Sequence, residues 1–174
     1  MLLPALYNIA EICAKKGVRH VVISAGSRSA PLTIAFARHP DIITKVVPDE
    51  RSAAFIAMGM AQSLRQTVAL VCTSGSASLN YAPAVAEAYF QEIPLLILTA
   101  DRPPEWIDQQ DGQTIRQQDV YGKHVKASFE LPVDYSHPDA LWHVNRIINE
   151  AINLTQHEQH QPVHVNIPIR EPFY

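Results

Sequence analysis

Short apolar runs, rich in β-branched residues, alternate along this chain with longer stretches of helical spacing. The runs are 18–23, 42–47, 67–72, 94–99 and 163–167. Nearly continuous apolar runs of this length are typical of parallel strands that are covered on both faces. The other stretches predict helices over about 4–16, 30–38, 51–64, 77–91 and 138–155. The alternation predicts a doubly wound α/β fold with a mostly parallel sheet and helices on both faces.

The composition indicates one globular domain, spanning residues 1–174. Of the 174 residues, 47% are hydrophobic and 18% are charged, and the formal net charge is −3. That length suits a single domain with one substantial core. The weak negative charge gives no electrostatic footprint for nucleic acid or a membrane surface. No apolar run reaches the ~20 residues that a membrane-spanning helix requires.

The cysteines and the N-terminus bear on the cellular compartment. Cys13 and Cys72 both lie in apolar segments, where buried free thiols are favoured over a disulfide. Residues 1–3 lead into a helix carrying charged residues, which is unlike a signal peptide. These features predict a cytoplasmic protein.

Polar or glycine-containing segments follow the first four predicted strands. They are 24–29, 48–51, 73–76 and 100–102. Ligands of doubly wound folds bind at the carboxyl ends of the strands, so we expect these four segments to converge on one edge of the sheet. The segment 100–136 shows no regular pattern, and a loop that long in a compact domain is usually functional.

The segment 26–29 has two interpretations. Its glycine, the N–H groups at the following helix start and the forked charge of Arg28 suit an anion such as a carboxylate. Alternatively, Ser29 caps the helix that begins at Ala30-Pro31. The segment matches neither a Walker loop nor a Gly-x-Gly-x-x-Gly fingerprint.

The other segments leave similar alternatives open. Asp49 and Glu50 either complement a helix dipole at the surface or act on a ligand at the sheet edge. For residues 73–76, a turn with a helix cap is favoured over a serine nucleophile, because the Gly-x-Ser-x-Gly elbow is missing. Arg102 is either a local ion-pair partner beside prolines or is directed into the cleft. Neither His-Glu-x-x-His nor Cys-x-x-Cys occurs, so we expect no metal site within the chain.

Taken together, the motifs resemble one branch of the thiamine-diphosphate enzymes. The segments that carry the resemblance are 26–33, 49–51, 73–77, 98–105, 115–117, 163–168 and 171–174. They are similar in order and spacing to the N-terminal, pyrimidine-binding domain of the MenD family, the 2-succinyl-5-enolpyruvyl-6-hydroxy-3-cyclohexene-1-carboxylate synthases. The resemblance covers nearly the whole chain. Its Gly-Ser-Arg-Ser and Thr-Ala-Asp-Arg-Pro-Pro-Glu elements are specific to this branch, whereas the glutamate and Thr-Ser-Gly elements are shared more widely.

The resemblance implies a reaction and a cofactor. The family condenses decarboxylated 2-oxoglutarate with isochorismate in menaquinone biosynthesis, using thiamine diphosphate with Mg²⁺ or Mn²⁺. Glu50 would be the catalytic residue, since its carboxyl group would hydrogen-bond the pyrimidine nitrogen and favour the tautomer that activates the thiazolium carbon. A partly apolar site would help to keep that carboxyl protonated.

The resemblance also assigns binding residues. Ser74, Gly75 and Asn80, with Glu50, match the wall beside the pyrimidine. The positions that bind isochorismate correspond to Ser27, Arg28, Arg102 and Gln113. Isochorismate is a dicarboxylate, which makes physical sense of two arginines.

The chain departs from the family pattern in two places. Ala25 stands where a proline commonly precedes the glycine. The superfamily holds the diphosphate and Mg²⁺ on a separate domain through a Gly-Asp-Gly element, which is missing here. We therefore expect part of a larger, multi-domain transferase, inactive by itself; the alternative is one of two separately encoded chains.

In this superfamily the active site is completed by the diphosphate-binding domain of a second subunit, which implies a homo-oligomer such as a homodimer. The alternatives are the matching domain of an acetolactate-synthase-like carboligase and a non-catalytic carboxylate-binding module. The Arg102-Pro103-Pro104 element argues against the first of these.

Overall fold

A parallel sheet forms the centre of the computed structural model, which describes residues 4–170. Its strands are β1 (His20–Ile23), β2 (Ile43–Val46), β3 (Val68–Cys72), β4 (Leu95–Asp101), β5 (Ala127–Glu130) and β6 (Val163–Pro168). They lie in the order β2-β1-β3-β4-β6-β5, and each neighbouring pair is parallel. The predicted doubly wound α/β fold is confirmed, and within the described residues the sheet is parallel throughout.

Helices cover both faces of the sheet. They are α1 (Pro4–Lys15), α2 (Ala30–Ala37), α3 (Glu50–Leu64), α4 (Ser76–Leu79), α5 (Ala82–Phe90) and α6 (Pro138–Gln156). Helices α1, α2 and α6 share one buried apolar cluster, and α3, α4 and α5 share the other. Along β4, Leu96 and Leu98 belong to the first cluster, and Leu95 and Ile97 to the second. Because successive side chains face opposite apolar layers, the strand is a continuous apolar run.

The prediction of irregular structure over 100–136 was wrong at β5. This strand lies at the outer edge of the sheet beside β6, and its residues are only half-buried. Its sequence, Ala-Ser-Phe-Glu, therefore lacks the apolar signal of the central strands. Elsewhere the segment is irregular, apart from short 3₁₀ turns at Pro104–Trp106 and Gly122–His124.

The single helix predicted over 77–91 is two helices. α4 ends at Leu79, and α5 begins at Ala82 with Pro83 in its first turn. A continuous helix would bring the proline ring against the carbonyl of Leu79, four residues earlier, and would leave that carbonyl without its N–H partner. The chain therefore breaks before Pro83.

Strand β2 also differs from expectation, because it is not covered on both faces. Ile43 and Val46 are 63% and 62% exposed, since β2 is the outer strand on its side of the sheet. The thiol prediction is confirmed: Cys13 and Cys72 are both buried and free. Burial raises the pKa of the Cys13 thiol to about 12.

Across residues 4–170, no helix has the length and apolar character needed to cross a membrane. The N-terminal residues 1–3 and the last motif of the resemblance, 171–174, lie outside the described residues.

Candidate functional site

Three of the four predicted loops meet at the carboxyl edge of the sheet. Gly26, after β1, lies against Thr73, after β3: a Cβ atom added to Gly26 would come within 2.5 Å of the Thr73 Cβ. No side chain fits at position 26, which explains the glycine. Arg102, after β4, donates from Nη1 to Ser74 Oγ at 3.1 Å. The loops after β1, β3 and β4 thus form one continuous surface.

In the fourth loop, after β2, the two neighbouring carboxylates have different environments. Asp49 is the N-cap of α3 and accepts a hydrogen bond from the Ser52 N–H at 2.7 Å, which lowers the pKa of its carboxyl group. Glu50 is the first residue of the helix and is half-buried. Burial, with a smaller contribution from the Glu50 charge, raises the pKa of the Cys72 thiol. Glu50 therefore lies near the end of β3, and the capping role belongs to Asp49.

The interpretation of Ser29 as a helix cap is confirmed for its position but not for its side-chain contact. Ser29 occupies the N-cap position of α2, but its side chain makes no capping hydrogen bond. Its Oγ instead donates to the Gly26 carbonyl at 3.1 Å and accepts from the Gly26 N–H at 3.2 Å. The hydroxyl thereby closes the 26–29 turn on itself and leaves Ser27 exposed at its tip.

Arg28 is buried beneath this turn. Its Nη1 donates to the carbonyls of Ile169 and Arg170, at 2.7 and 2.8 Å. The guanidinium carbon lies 5.5 Å from the centre of the Trp106 ring, a cation–π distance. Arg28 therefore joins the loop after β1 to the chain that follows β6, in addition to any contact with a ligand.

Arg102 fixes part of the long loop over the β3 end. Its Nε donates to Asp111 Oδ2 at 3.0 Å, and its Nη2 to the Gly112 carbonyl at 2.9 Å. The ion pair thus joins residues nine positions apart and is not the local pair considered from the sequence. The loop also brings Gln113 over Gly75, where an added Cβ would lie 3.0 Å from the Gln113 carbonyl oxygen. Gly75 has a φ of 85°, which favours glycine for a second reason.

Gln117 belongs to the 115–117 segment of the resemblance, but the sequence predicted no role for it in the site. Its side chain is 1% exposed. The amide oxygen accepts the Gly75 N–H at 2.7 Å, and the amide nitrogen donates to the Ala100 carbonyl at 3.1 Å and to Asn166 Oδ1 at 3.0 Å. One side chain therefore connects the loop after β3 with β4 and β6.

Behind Gln117, a buried polar network crosses the sheet. Thr99 Oγ1 donates its proton to Asn166 Oδ1 at 2.9 Å, so it must accept from His164 Nε2, which is 2.8 Å away. His164 Nδ1 then accepts from Ser128 Oγ at 3.2 Å. Burial lowers the pKa of His164 to about 3, so the ring is neutral, as this tautomer requires. Within a strand of otherwise apolar residues, His164 and Asn166 are the sequence signal that could have indicated this network.

A cleft of about 350 Å³ opens where the network reaches the sheet edge. Its lining includes Asp101, Arg102, Arg116, Gln117 and Glu130. Asn166 Nδ2 donates to Asp101 Oδ2 at 2.8 Å and to Glu130 Oε2 at 3.3 Å. Burial raises the pKa of Asp101, with a smaller contribution from the Glu130 charge. The cleft has the size of a small-ligand site and carries charges of both signs.

Asn80 lies apart from the other predicted site residues. Asn80 is exposed at the break between α4 and α5, and its Nδ2 donates to the Ser76 carbonyl at 3.2 Å, a contact within its own turn. The structure does not connect it with the other predicted residues through any described contact. In the described part of the chain, no three or more His, Cys, Asp and Glu side chains are grouped to hold a metal ion.

Comparison with known proteins gives a family and several relatives. Residues 7–120 match the family described as thiamine pyrophosphate enzyme, N-terminal TPP binding domain. The 2-succinyl-5-enolpyruvyl-6-hydroxy-3-cyclohexene-1-carboxylate synthase of Cytophaga hutchinsonii is 58% identical over 170 residues, which cover 98% of this chain and 30% of the relative.

Proteins of the same name from Christiangramia forsetii and Porphyromonas gingivalis are 48% and 47% identical to the chain. Those alignments cover 99% and 94% of this chain, but 32% and 28% of the relatives. The chain thus spans about 30% of the length of the curated relatives it matches.

Proposed function

Because the chain belongs to the thiamine pyrophosphate enzymes, as an N-terminal TPP-binding domain, we propose that it is the pyrimidine-binding domain of a larger synthase. The enzyme would condense decarboxylated 2-oxoglutarate with isochorismate in menaquinone biosynthesis. Similarity over nearly the whole chain to synthases of that name supports this reaction. The structural observation that carries the proposal is the half-buried carboxyl group of Glu50 at the sheet edge, which Asp49 frees from helix capping.

The groups at this edge fit the pyrimidine end of thiamine diphosphate. An aminopyrimidine requires a carboxyl group at its ring nitrogen and a wall of small groups beside the ring. Glu50 would supply the carboxyl group, and Ser74 and Gly75 would supply the wall; the resemblance adds Asn80, which lies at the exposed break between α4 and α5. We assign the diphosphate and Mg²⁺ or Mn²⁺ to a separate domain, since no Gly-Asp-Gly element occurs in the sequence.

Glu50 would carry a proton in this site. When bound, thiamine diphosphate supplies the electron sink for decarboxylating the 2-oxo acid. Glu50 would hold a proton at the pyrimidine ring nitrogen and exchange it during the cycle, which is general acid–base catalysis by a positioned carboxyl group. The hydrogen bond from Ser52 goes to Asp49, so the capping requirement does not compete for the Glu50 carboxyl group.

Isochorismate would bind next to the pyrimidine surface, at Ser27, Arg28, Arg102 and Gln113, since Arg102 donates to Ser74 and Gln113 lies against Gly75. Guanidinium groups suit its two carboxylates because their N–H groups form a planar fork. The support is clearest for Arg102, which lines the cleft and whose described contacts occupy three of its N–H groups. The remaining donors can serve a ligand carboxylate.

We also propose that the enzyme is a cytoplasmic homo-oligomer, such as a homodimer. The basis is the missing diphosphate site, which a domain of a second subunit would supply. An acetolactate-synthase-like carboligase is the alternative enzyme.

Product analysis with the purified holoenzyme decides between these reactions. With thiamine diphosphate and Mg²⁺, we expect consumption of 2-oxoglutarate to depend on isochorismate. Turnover of pyruvate to acetolactate, with no dependence on isochorismate, would establish the alternative instead. Binding of either carboxylate with no turnover of any 2-oxo acid would indicate a binding module.

A further inference from the structure

We propose that Gln117 is a positioning residue that fixes the loop after β3, and with it the surface on which the pyrimidine end of the cofactor rests. The inference depends on the proposed function, because that function gives Ser74 and Gly75 their role. Gln117 would act through this loop and would not touch the cofactor itself.

A hydrogen bond joins Gln117 to Gly75 in the loop after β3. The Gly75 N–H donates to Gln117 Oε1 at 2.7 Å, in a buried environment. Gly75 immediately precedes α4, a helix of only four residues. Leaving a buried N–H without an acceptor costs free energy. The position of the Gln117 oxygen therefore fixes the position of the Gly75 N–H and of its loop.

The loop is also held from the opposite direction. Ser74 is buried, and its hydroxyl accepts from Arg102 Nη1 at 3.1 Å. The backbone of Gln113 lies so close to Gly75 that a Cβ atom added there would be 3.0 Å from the Gln113 carbonyl oxygen. Gln113 and Gln117 belong to the same segment. This segment therefore contacts Gly75 twice, through the backbone of Gln113 and through the side-chain amide of Gln117.

The orientation of the Gln117 amide is determined by its other partners. Its nitrogen faces the Ala100 carbonyl and Asn166 Oδ1, both of which are acceptors. The orientation of Asn166 is fixed in turn, because its nitrogen serves the carboxylates of Asp101 and Glu130. If the Gln117 amide were reversed, its oxygen would face the Ala100 and Asn166 oxygens and its NH₂ group would face the Gly75 N–H, and neither arrangement forms a hydrogen bond. The network therefore sets the oxygen of Gln117 toward Gly75.

A substitution in the holoenzyme tests this role. Gln117→Met keeps most of the side-chain volume but removes the amide. We expect the Kd for thiamine diphosphate, titrated calorimetrically with Mg²⁺, to rise about tenfold or more, the scale for a buried hydrogen bond lost. At saturating cofactor, the KM values for isochorismate and 2-oxoglutarate should stay within about twofold of the unsubstituted enzyme, less than the change from one hydrogen bond. The control is Gln62→Met, the same change at an exposed position of α3.

A second variant keeps the test informative if Gln117→Met does not fold. Gln117→Glu retains the acceptor for the Gly75 N–H and loses both donors. Its Kd for thiamine diphosphate should lie between those of the unsubstituted enzyme and Gln117→Met, or several-fold above the unsubstituted value if Gln117→Met cannot be measured.

Two results would overturn the inference. One is cofactor affinity in both variants equal to that of Gln62→Met. The other is a parallel loss of affinity for the cofactor and both substrates with a lower thermal midpoint, which would indicate a structural role alone. Glu50→Gln provides the reference: if that variant retains full condensation activity, the proposed function fails, independently of Gln117.

Discussion

At the scale of single residues, the adjacent acids Asp49 and Glu50 show how position separates two identical functional groups. Asp49 is exposed and its carboxylate caps α3, whereas Glu50 is half-buried at the carboxyl edge. The sequence alone allowed either acid to complement the helix dipole. The capping bond resolves that choice, so a matched pair of substitutions can distinguish a structural from a catalytic carboxylate.

Glu50→Gln should reduce turnover of the holoenzyme by about 10²–10⁴-fold, the usual loss when a positioned acid–base group is removed. The amide cannot exchange the proton at the pyrimidine nitrogen. Exchange of the cofactor C2 proton, followed by NMR, should slow in parallel. Asp49→Asn is the control, because asparagine also caps helices well. Near-normal C2 exchange in Glu50→Gln would refute the role proposed for Glu50.

Arg102→Ala should raise the KM for isochorismate by on the order of tenfold to a hundredfold, as expected for a charged hydrogen bond lost from a partly buried site. The KM for 2-oxoglutarate should change much less. Arg28→Ala should weaken isochorismate binding too, and should also lower the thermal midpoint, because Arg28 holds the chain after β6. Steady-state kinetics with each substrate varied in turn measure the difference. If Arg102→Ala raised the KM values of both substrates equally, Arg102 would hold the loop in place without binding isochorismate.

At the scale of elements, the sheet could be predicted where strands are buried between two helical layers. β3 and β4 are apolar at nearly every position, so their sequences identify them. β5 is half-buried at an edge and gives no comparable pattern. The site was predictable at the strand ends, but not its internal contacts, because Gln117 meets Gly75 across 42 positions. Local spacing carries no information on such pairs.

Strand β6 should make stability depend on pH through His164. Its pKa is about 3 in the folded protein, and a histidine in an unfolded chain titrates near ~6.5. Between these values the unfolded state binds the extra proton, so stability falls as the pH drops through this window. From pH 7 to pH 5 the loss attributable to His164 is about 2 kcal/mol. Asp101, whose pKa is raised, opposes part of this change.

Urea unfolding of the chain at pH 7 and pH 5 measures this dependence. His164→Gln should be less stable than the unsubstituted chain at pH 7, but should lose less additional stability on acidification. His157→Gln, at an exposed position, controls for the loss of a histidine in general. An unchanged difference between the two pH values in His164→Gln would contradict this account.

Gly26, in the loop after β1, and Gly59, within α3, should respond to alanine substitution in opposite directions. Gly26→Ala would force a Cβ atom to 2.5 Å from the Thr73 Cβ, and should destabilise the chain by about 1–3 kcal/mol. Gly59→Ala, within α3, meets no atom within 4 Å. It should stabilise the helix by up to ~1 kcal/mol, because alanine favours helical backbone. Denaturant midpoints compare the two, and equal effects would show that the Gly26–Thr73 contact can relax.

At the scale of the whole molecule, the proposed function implies that a diphosphate-binding domain of a larger enzyme would complete the active site. Several large apolar side chains on α3, α4 and α5 are exposed. They are Phe55, Leu64, Leu79 and Phe90. Exposed apolar side chains favour association, so we expect the chain to self-associate in solution.

The 174-residue chain alone should not condense 2-oxoglutarate with isochorismate, and should bind thiamine diphosphate weakly even with Mg²⁺. The reason is that the charged end of the cofactor has no assigned partner in this sequence. Calorimetric titration of the chain measures the affinity, and the holoenzyme provides the comparison. Tight, Mg²⁺-dependent binding by the chain alone would contradict the division of the site between domains.

The strand order has a consequence for how the protein is made. β6 lies between β4 and β5, so β5 leaves the ribosome before the strand that connects it to the sheet exists. Arg28 likewise cannot form its hydrogen bonds to the Ile169 and Arg170 carbonyls until those residues, 141 and 142 positions later, have been made. Contacts this distant in sequence form slowly, and strands without partners expose their edges meanwhile. Within this chain, the Asn166 contact that orients Gln117 can therefore form only after β6 is made, and we expect a nascent chain stalled before β6 to expose the unpaired edge of β4.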